Sequence, residues 1–159
     1  MTESEFIRLV SLYRQTVFRA AYCCLKSYSE AEDITQEVFL ALYTYSGTFN
    51  DDSHIKAWLL RVTVNKCRNL LKSAFRRFSV PLAEAADRTA FTEDNELLET
   101  VMRLKPKLRT PLYMYYYEDY SVKEIAELLC EKETTITTRL ARGRQKLKEF
   151  LTREDKNGF

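Results

Sequence analysis

Apolar residues recur every three or four positions along most of this chain, which is the spacing of one face of an α-helix. One amphipathic helix is predicted from residue 29, because Ser29 and Glu32 have the spacing of a capping box. The polar stretch at residues 46–52 would end this helix. Its predicted apolar face consists of Ile34, Val38, Leu42 and Tyr45.

A second predicted helix follows the polar stretch, with Ser53 as its N-cap and its end near Ala74. A helix face with regularly spaced cations, an amide and an aromatic ring suits a nucleic-acid backbone with exposed bases nearby. A solvated basic face beside a buried tryptophan is the competing interpretation, and spacing alone does not decide between the two. The predicted core face is Ile55, Leu59, Val62 and Leu70, and the predicted polar face is Trp58, Arg61, Asn65, Arg68, Lys72 and Arg76.

The residues before these two helices predict another helix over 5–26, with Thr2 and Glu5 as its candidate capping box. Together the three helices are expected to form one domain over residues 1–78. The apolar side of the first helix is predicted to be Phe6, Leu9, Val10, Tyr13, Val17, Phe18, Ala21 and Leu25.

Residues 79–92 have no clear hydrophobic period and carry the acidic residues Glu84 and Asp87. This composition predicts a flexible acidic linker, and a plain tether is the favoured interpretation. Occupation of a basic channel by the acidic segment is the alternative.

The next residues predict a short helix from a cap at Thr92 to about Leu104, then a helix with Pro106 in its first turn. Pro111 comes early enough in that second helix to kink it without ending it. The aromatic run at residues 113–117 is interpreted mainly as core and edge residues, with base stacking as a minor alternative.

The last two predicted helices have the pattern of a helix-turn-helix. Ser121 and Glu124 form a second capping box, a turn is predicted at residues 130–133, and the final helix would run to about Leu151. Hydroxyls and arginines near the start of the final helix suit a recognition helix in the major groove, although a small helical hairpin without DNA also fits the spacing. The predicted inner stripe is Ile136, Leu140, Gly143 and Leu147, and the outer side carries Thr138, Ala141, Arg142 and Gln145, with Thr137 and Arg139 flanking it.

Composition agrees with an all-α fold of two small helical domains. Of 159 residues, 45% are hydrophobic, and only three are glycine and three are proline, which argues against a many-turned β-protein. The net charge of +2 hides an asymmetry, because residues 79–103 carry an excess of acidic residues and the two flanking parts are basic. The second domain is placed at residues 93–152, followed by a tail over 153–159.

Residues with special chemistry do not form a recognisable site in the sequence. Cys23, Cys24, Cys67 and Cys130 lack metal-ligand spacing, so we expect buried reduced thiols in a cytoplasmic protein without metal or cofactor. The single histidine, His54, is expected at the surface beside a helix cap. The acidic N-terminus and the lack of a long apolar run predict neither a signal peptide nor a membrane span.

Two motifs resemble a known family. The stretch AEDITQEVFLALYTYSGTFNDDSHIKAWLLRVTVNKCRNLLK resembles region 2 of the bacterial extracytoplasmic-function sigma factors, group 4 of the sigma-70 family. The stretch LKPKLRTPLYMYYYEDYSVKEIAELLCEKETTITTRLARGRQKLKEFL resembles region 4 of the same family. Their order and the acidic segment between them also match, and together they cover nearly the whole chain.

The resemblance to region 2 implies two kinds of contact. The family docks a carboxylate-rich helix face on the β′ clamp of core RNA polymerase, which maps onto Asp33, Gln36 and Glu37. The polar stretch corresponds to a loop that captures a flipped base of the minus-ten promoter element. The implied minus-ten contacts are Phe49, Asn50, Trp58, Arg61, Asn65 and Arg68.

The resemblance to region 4 implies a recognition helix that reads the minus-thirty-five element. Two departures stand out: the turn has Cys130 and Glu131 where the family usually has glycine and an apolar residue, and Thr137 stands where a basic residue is common. Threonine favours contact with a thymine methyl or a phosphate over bidentate readout of guanine. The implied minus-thirty-five contacts are Thr137, Thr138, Arg139, Ala141 and Arg142.

The expected function is therefore that of a promoter-specificity subunit, not an enzyme, that binds core RNA polymerase and recognises and melts promoter DNA. The implied partners are the β′ clamp and β subunits, promoter DNA and an anti-sigma factor, with a monomer as the free state. The alternative is a stand-alone helix-turn-helix regulator whose N-terminal helices dimerise or sense a ligand.

Overall fold

The computed structural model of the chain describes residues 1–76 and 96–157. The predicted linker, with Glu84 and Asp87, and the predicted cap Thr92 lie outside the described residues, as does the side chain of Arg76. The chain divides into two compact units, Met1–Ala90 and Phe91–Phe159, which we call the N-terminal and C-terminal units. The helices are α1 Glu3–Leu25, α2 Tyr28–Thr44, α3 Asp52–Arg76, α4 Glu96–Val101, α5 Pro106–Tyr117, α6 Val122–Leu129 and α7 Glu133–Asn157.

No strand occurs within the two described ranges, so the all-α fold class with two small helical units is confirmed. In the N-terminal unit α1 packs against both α2 and α3. The core lies between them and is filled from α1 by side chains such as Leu9, Val17 and Phe18, each at most 6% exposed. Thr2 caps α1 as predicted, because its Oγ1 accepts the Glu5 N–H at 3.2 Å.

The predicted caps of α2 and α3 are each wrong by two residues. Ser27, not Ser29, caps α2, and its Oγ accepts the Glu30 N–H at 3.3 Å. Lys26 ends α1 in the left-handed conformation with φ of 56°, so the chain turns at once into the next helix. Glu32 pairs with Arg14 across the α1–α2 contact at 3.5 Å.

At the start of α3 the cap is Asp51. Its Oδ1 accepts the His54 N–H at 2.8 Å and the Ser53 hydroxyl at 3.0 Å, so Ser53 lies inside the helix. These two hydrogen bonds favour the ionised carboxylate and lower the pKa of Asp51 below its ordinary value. Asp51 caps the helix in preference to Ser53 because its charge also complements the positive N-terminal end of the helix.

The buried face of α3 is wider than the predicted stripe. Ile55 and Leu59 are buried as predicted, but Val62 and Leu70 are only partly buried. Because α3 packs against two helices at once, its core side also takes in Leu60, Thr63, Val64 and Cys67. Likewise Tyr45 is wrong as a core residue of α2, since it lies past the helix end and is 40% exposed.

In the C-terminal unit α5 begins at Pro106 as predicted, and Pro111 lies buried within the helix. Arg109 is a buried cation that the sequence did not indicate. Its Nη1 donates to the carbonyls of Met102 and Leu104 at 3.1 and 3.0 Å, which ties the residues after α4 to α5. These charge-assisted hydrogen bonds satisfy the carbonyl ends of the α4 turn.

The helix-turn-helix geometry is present in α6 and α7. The Ser121–Glu124 capping box is confirmed in both directions, each hydrogen bond being 3.1 Å long. Ile136, Leu140 and Gly143 are buried on the inner side of α7 as predicted. Gly143 allows close approach of α5, because a β-carbon there would collide with the side chain of Leu112. The last helix extends beyond the predicted end at Leu151, to Asn157.

Candidate DNA and polymerase interfaces

Three aromatic side chains around the α2–α3 loop pack on one another: Tyr45, Phe49 and Trp58, here called the aromatic cluster. Ring centroids are 4.8 Å apart for Tyr45 and Trp58 and 5.1 Å apart for Tyr45 and Phe49. Phe49 and Trp58 are half-buried and Tyr45 is exposed, so the cluster presents ring surface on the outside. Such a surface can stack against a base that has left its duplex.

The loop itself is held by few contacts. The Asn50 backbone N–H donates to Nδ1 of His54 at 3.1 Å, while the Asn50 side chain is exposed. Gly47 lies against the ring of Tyr45 so closely that any side chain there would collide with it. Asn50 therefore presents an amide beside the aromatic cluster, as the sequence analysis expected of a base-receiving loop.

The polar face of α3 continues from the aromatic cluster along the helix. Arg61, Asn65 and Lys72 are exposed, and Arg68 is half-buried. Among the residues that the structure describes, Arg61 and Lys72 form no ion pair, so both charges are available to phosphate groups. Cations at this spacing beside an amide can follow a nucleic-acid backbone.

The predicted docking residues project from α2. Asp33, Gln36 and Glu37 are all exposed, and Glu37 lies 3.5 Å from Lys66 Nζ of α3. Asp33 and Glu37 line a polar cleft between α2 and α3, whereas Gln36 lines a different groove on the α1 side. The three side chains thus lie on the two flanks of one helix.

The groove on the α1 side of α2 is largely apolar and was not predicted. Its volume is about 430 Å³, and Phe6, Phe39, Leu40 and Tyr43 contribute to its lining. Leu40 is 64% and Tyr43 63% exposed, which is high for large apolar side chains. Leu40 and Tyr43 could have been predicted as exposed apolar residues, since both follow Gln36 at helical spacing and lie outside the core stripe of α2.

On the recognition helix α7, Thr137, Thr138, Ala141 and Arg142 are all exposed. The hydroxyls of Thr137 and Thr138 donate to the carbonyls of Glu133 and Thr134 at 3.0 and 2.9 Å. Because a hydroxyl has one proton, each threonine offers DNA only its methyl group and an acceptor oxygen. This arrangement matches contact with a thymine methyl better than donation to guanine.

Arg139 differs from its neighbours because it is already paired. Its Nη2 lies 3.3 Å from Oε1 of Glu131, and the two side chains are 21% and 31% exposed. An apolar residue was expected at this turn position. Glu131 stands there instead and pairs with Arg139 of the predicted recognition helix. This pair occupies part of the Arg139 guanidinium within the protein.

The turn before α7 is a Schellman motif built on Cys130. Cys130 has φ of 54° and ψ of 44°, and the Glu131 N–H donates to the Ala126 carbonyl at 2.9 Å. Cys130 is exposed, so the expectation of four buried thiols is wrong at this position. Cys23, Cys24 and Cys67 are buried, and a hydrogen bond with Cys24 together with burial raises the pKa of Cys67.

The C-terminal unit also carries an apolar groove between α4, α5 and α7. Its volume is about 380 Å³, and its lining includes Leu97, Tyr116 and Leu151. These three side chains are 51%, 52% and 39% exposed. The Arg144 Nε donates to the Tyr116 hydroxyl at 2.7 Å, which places a cation at the rim.

Comparison with known families gives a match in each unit. Residues 9–77 match the family model described as sigma-70 region 2. Residues 94–147 match the model described as sigma-70, region 4. The order of the two regions is the one expected from the sequence motifs. No helix of the described ranges has the length and apolarity needed to cross a bilayer.

Individual relatives are similar along nearly the whole chain. ECF RNA polymerase sigma factor SigM of Mycobacterium tuberculosis is 29% identical over 150 residues, covering 92% of this chain and 76% of that protein. ECF RNA polymerase sigma factor SigW of Bacillus subtilis is 26% identical over 169 residues, covering 94% and 90%.

A solved structure shares the fold: the sigma factor RpoE in complex with the anti-sigma factor NepR, from Bartonella quintana. It matches with a TM-score of 0.72 at 19% identity, covering 93% of this chain and 97% of that one. Two family regions in order, relatives along the whole length and a shared all-α fold lead to one assignment. The chain belongs to the extracytoplasmic-function sigma factors of the sigma-70 family.

Proposed function

We propose that this sigma factor acts as a promoter-specificity subunit without chemistry of its own, in the cytoplasm, where core RNA polymerase works. The N-terminal unit docks on the polymerase and melts the minus-ten element, and the C-terminal unit binds the minus-thirty-five element. The observation that carries the proposal is the aromatic cluster with Asn50 at one end of the cationic face of α3.

Melting of the minus-ten element is assigned to that arrangement. Extruding a base from a duplex costs a few kcal/mol, so a protein that melts DNA must offer the extruded base a surface. Phe49 and Trp58 supply ring surface, and the exposed Asn50 amide can hydrogen-bond a base edge. Arg61 and Asn65, one and two helical turns beyond Trp58, then hold the separated strand by its phosphates.

Duplex binding at the minus-thirty-five element is assigned to α7. Its exposed residues Thr137, Thr138 and Arg142 lie within the first three turns of the helix, as in a recognition helix that enters the major groove. Ala141 allows close approach of the helix to the bases. Arg139 contributes at the edge, because Glu131 holds its guanidinium.

Docking on core polymerase is assigned to α2. Asp33, Gln36 and Glu37 provide the polar contacts to a basic partner surface such as the β′ clamp. Leu40 and Tyr43 add exposed apolar surface next to Gln36. An apolar centre with charged residues at its rim is the usual composition of a protein–protein interface.

Two further partners are proposed. The apolar groove of the C-terminal unit suits an amphipathic helix, and we assign it to the β subunit of the polymerase. The Bartonella sigma factor was solved with an anti-sigma factor, and we propose that this chain is also held inactive by one. Such an inhibitor would cover the exposed apolar surfaces until it is removed, and the free sigma factor is a monomer.

Run-off transcription from a promoter library tests the function. Purified core polymerase should initiate at specific promoters only when this protein is added, and the two should co-purify. A protein that never associates with core polymerase would eliminate the proposal. Homologous core polymerase with a different sigma factor serves as the positive control for the enzyme preparation.

The stand-alone regulator makes the opposite predictions, and the family matches disfavour it. A regulator of that kind would sediment as a homodimer and shift a palindromic duplex without polymerase. A sigma factor should sediment as a monomer and bind promoter duplex weakly until core polymerase is present. Sedimentation and gel shifts with and without core polymerase separate the two.

A further inference from the structure

We propose that His54 is a positioning residue for the minus-ten element, because it fixes the loop that carries Phe49 and Asn50. The inference rests on the proposed function of that loop in receiving a flipped base. His54 itself lies in the first turn of α3 and has no assigned DNA contact. Its role is to act through the two residues that do.

Two contacts join His54 to the loop. Its Nδ1 accepts the Asn50 backbone N–H at 3.1 Å. Its ring meets the ring of Phe49 edge to face, with centroids 5.3 Å apart and an interplanar angle of 80°. The same side chain therefore anchors the Asn50 backbone and contacts the Phe49 ring.

The loop has little else to hold it. Among the described residues, Asn50 is the one member of the 46–50 segment whose backbone N–H is hydrogen-bonded. Phe49 is also held in the aromatic cluster, but its backbone is not. Fixing one residue's backbone costs conformational entropy, so a loop without this anchor samples other conformations.

His54 is well placed to supply the anchor because its own backbone is fixed. Its N–H donates to the capping carboxylate Asp51 at 2.8 Å, at the rigid start of a 25-residue helix. The hydrogen bond between His54 and Asn50 therefore fixes the position of the loop relative to α3. The base-receiving residues are thereby held in register with Arg61 and Asn65, which lie on the same helix.

The consequence concerns recognition more than stability. His54 is exposed, so its loss leaves no cavity in the core. A receiving pocket that is held in place before DNA arrives binds more tightly than one that must be ordered on binding. Loss of one hydrogen bond worth about 1 kcal/mol predicts about a fivefold weaker capture of the base.

The test uses polymerase holoenzyme and single-stranded oligonucleotides of the minus-ten non-template strand, each with one abasic site. For the wild type, the abasic position that weakens binding most identifies the captured base. We expect His54→Ala to weaken binding of the intact oligonucleotide about fivefold and to have no effect when the captured base is absent. This loss of effect is what a merely structural role would not produce.

Two matched variants control the experiment. His54→Asn keeps an acceptor oxygen near the position of Nδ1 and should restore most of the binding. Ser53→Ala removes a hydrogen bond from the Asp51 cap without touching Asn50, and should leave base capture unchanged. Thermal unfolding followed by circular dichroism should be nearly the same for all three variants.

The outcomes of this experiment distinguish the proposed function of the loop from the proposed role of His54. A wild-type protein that is insensitive to every abasic site would refute the proposed function of the loop. A sensitive wild type with an equally good His54→Ala variant would overturn the role of His54 alone. So would a loss that is the same on intact and abasic oligonucleotides, or a loss that His54→Asn does not restore.

Discussion

At the scale of single residues, hydrogen bonds inside the protein decide what a side chain can offer to DNA. Thr137 and Arg139 lie two residues apart on α7, and each uses part of its hydrogen-bonding capacity within the protein. The Thr137 hydroxyl donates to Glu133, and the Arg139 guanidinium pairs with Glu131. Arg142 has no such partner within the described residues, so it is the arginine of this surface best able to make a new contact.

The Thr137 geometry gives a prediction about base readout. Because the hydroxyl proton is used internally, the methyl group should be the part that DNA contacts. Thr137→Ser, which removes the methyl, should weaken holoenzyme binding to the minus-thirty-five element by roughly 0.5–1 kcal/mol, or two- to fivefold. Thr137→Val, which keeps the methyl and removes the hydroxyl, should bind within about twofold of the wild type.

Gel shifts on duplexes with uracil in place of each thymine of the element provide the check. At one position of the element, uracil in place of thymine should weaken DNA binding by the wild type. The same replacement should leave DNA binding by the Thr137→Ser variant unchanged. If Thr137→Val is the weaker variant, the hydroxyl and not the methyl makes the contact. Thr138 has the same geometry and is the internal comparison.

At the scale of elements, the sequence predicted which helices form better than where they begin. Ser121 was assigned correctly because the reciprocal Ser121–Glu124 pair has no rival nearby. The caps at residues 29 and 53 were wrong because Ser27 and Asp51, two residues upstream of each, compete for the same role. A spacing rule cannot choose between adjacent capping residues, since the choice depends on how the preceding chain turns.

Packing between helices was even less accessible from the sequence. Val64 and Cys67 are fully buried while Val62 is not, because α3 packs against α1 and α2 together and a single-stripe pattern assumes one neighbour. The sequence predicted the candidate site as a set of residues, but not the contacts between them. Neither the Glu131–Arg139 pair nor the His54–Asn50 hydrogen bond follows from spacing, since each joins a loop or turn to a helix.

The turn before α7 provides a prediction about stability. Cys130 holds a left-handed conformation that costs an L-residue with a side chain roughly 1 kcal/mol and costs glycine little. Because Cys130 is exposed, Cys130→Gly should stabilise the α6–α7 pair by about 0.5–1 kcal/mol. Native-state hydrogen exchange of the α6 and α7 amides in the full chain would measure it.

Cys130→Ala is the matched control, because it removes the thiol and keeps the β-carbon. It should leave the exchange rates unchanged. If the glycine and alanine variants are protected equally, and both more than the wild type, the thiol and not the backbone conformation destabilises the turn.

The α5–α7 crossing gives a prediction of opposite sign. Alanine normally favours a helix over glycine by about 1 kcal/mol, yet Gly143→Ala should destabilise the C-terminal unit by roughly 1–2 kcal/mol. The added β-carbon collides with the side chain of Leu112, which is 1% exposed where α5 meets α7. Urea unfolding followed through hydrogen exchange of α5 and α7 measures the change.

The control for Gly143→Ala is Gln145→Ala, an exposed position on the same helix. It should change stability by no more than about 0.5 kcal/mol. A Gly143→Ala protein as stable as the wild type would mean that α5 and α7 can separate without cost, contrary to the close crossing.

At the scale of the whole molecule, each unit exposes both a proposed DNA-binding face and an apolar groove. Thr137 and Arg142 are exposed on the proposed DNA-binding face of the C-terminal unit, while Leu97 and Tyr116 line its groove. In the N-terminal unit, α3 provides the cations and α2 provides Leu40 and Tyr43. Large exposed apolar surfaces mark interaction sites, so both units are built to be held by a partner while they hold DNA.

That organisation gives the last prediction, on docking. Asp33→Ala combined with Gln36→Ala removes one polar contact from each flank of α2 and should weaken core polymerase binding by about 1–3 kcal/mol, or five- to 150-fold. The fold should be intact, because both side chains are exposed. Leu40→Ala should weaken binding as well. The Leu40 side chain is exposed in the free protein, and docking on the polymerase would remove it from water.

Fluorescence anisotropy of the labelled sigma factor titrated with core polymerase measures these affinities. Glu3→Ala removes an equally exposed carboxylate from the first turn of α1 and should bind normally. Unchanged affinity of the double variant would mean that the docking surface is wrongly assigned. If Leu40→Ala alone weakens binding, the apolar groove and not the carboxylate-rich flank makes the main contact, and polymerase approaches α2 from the α1 side.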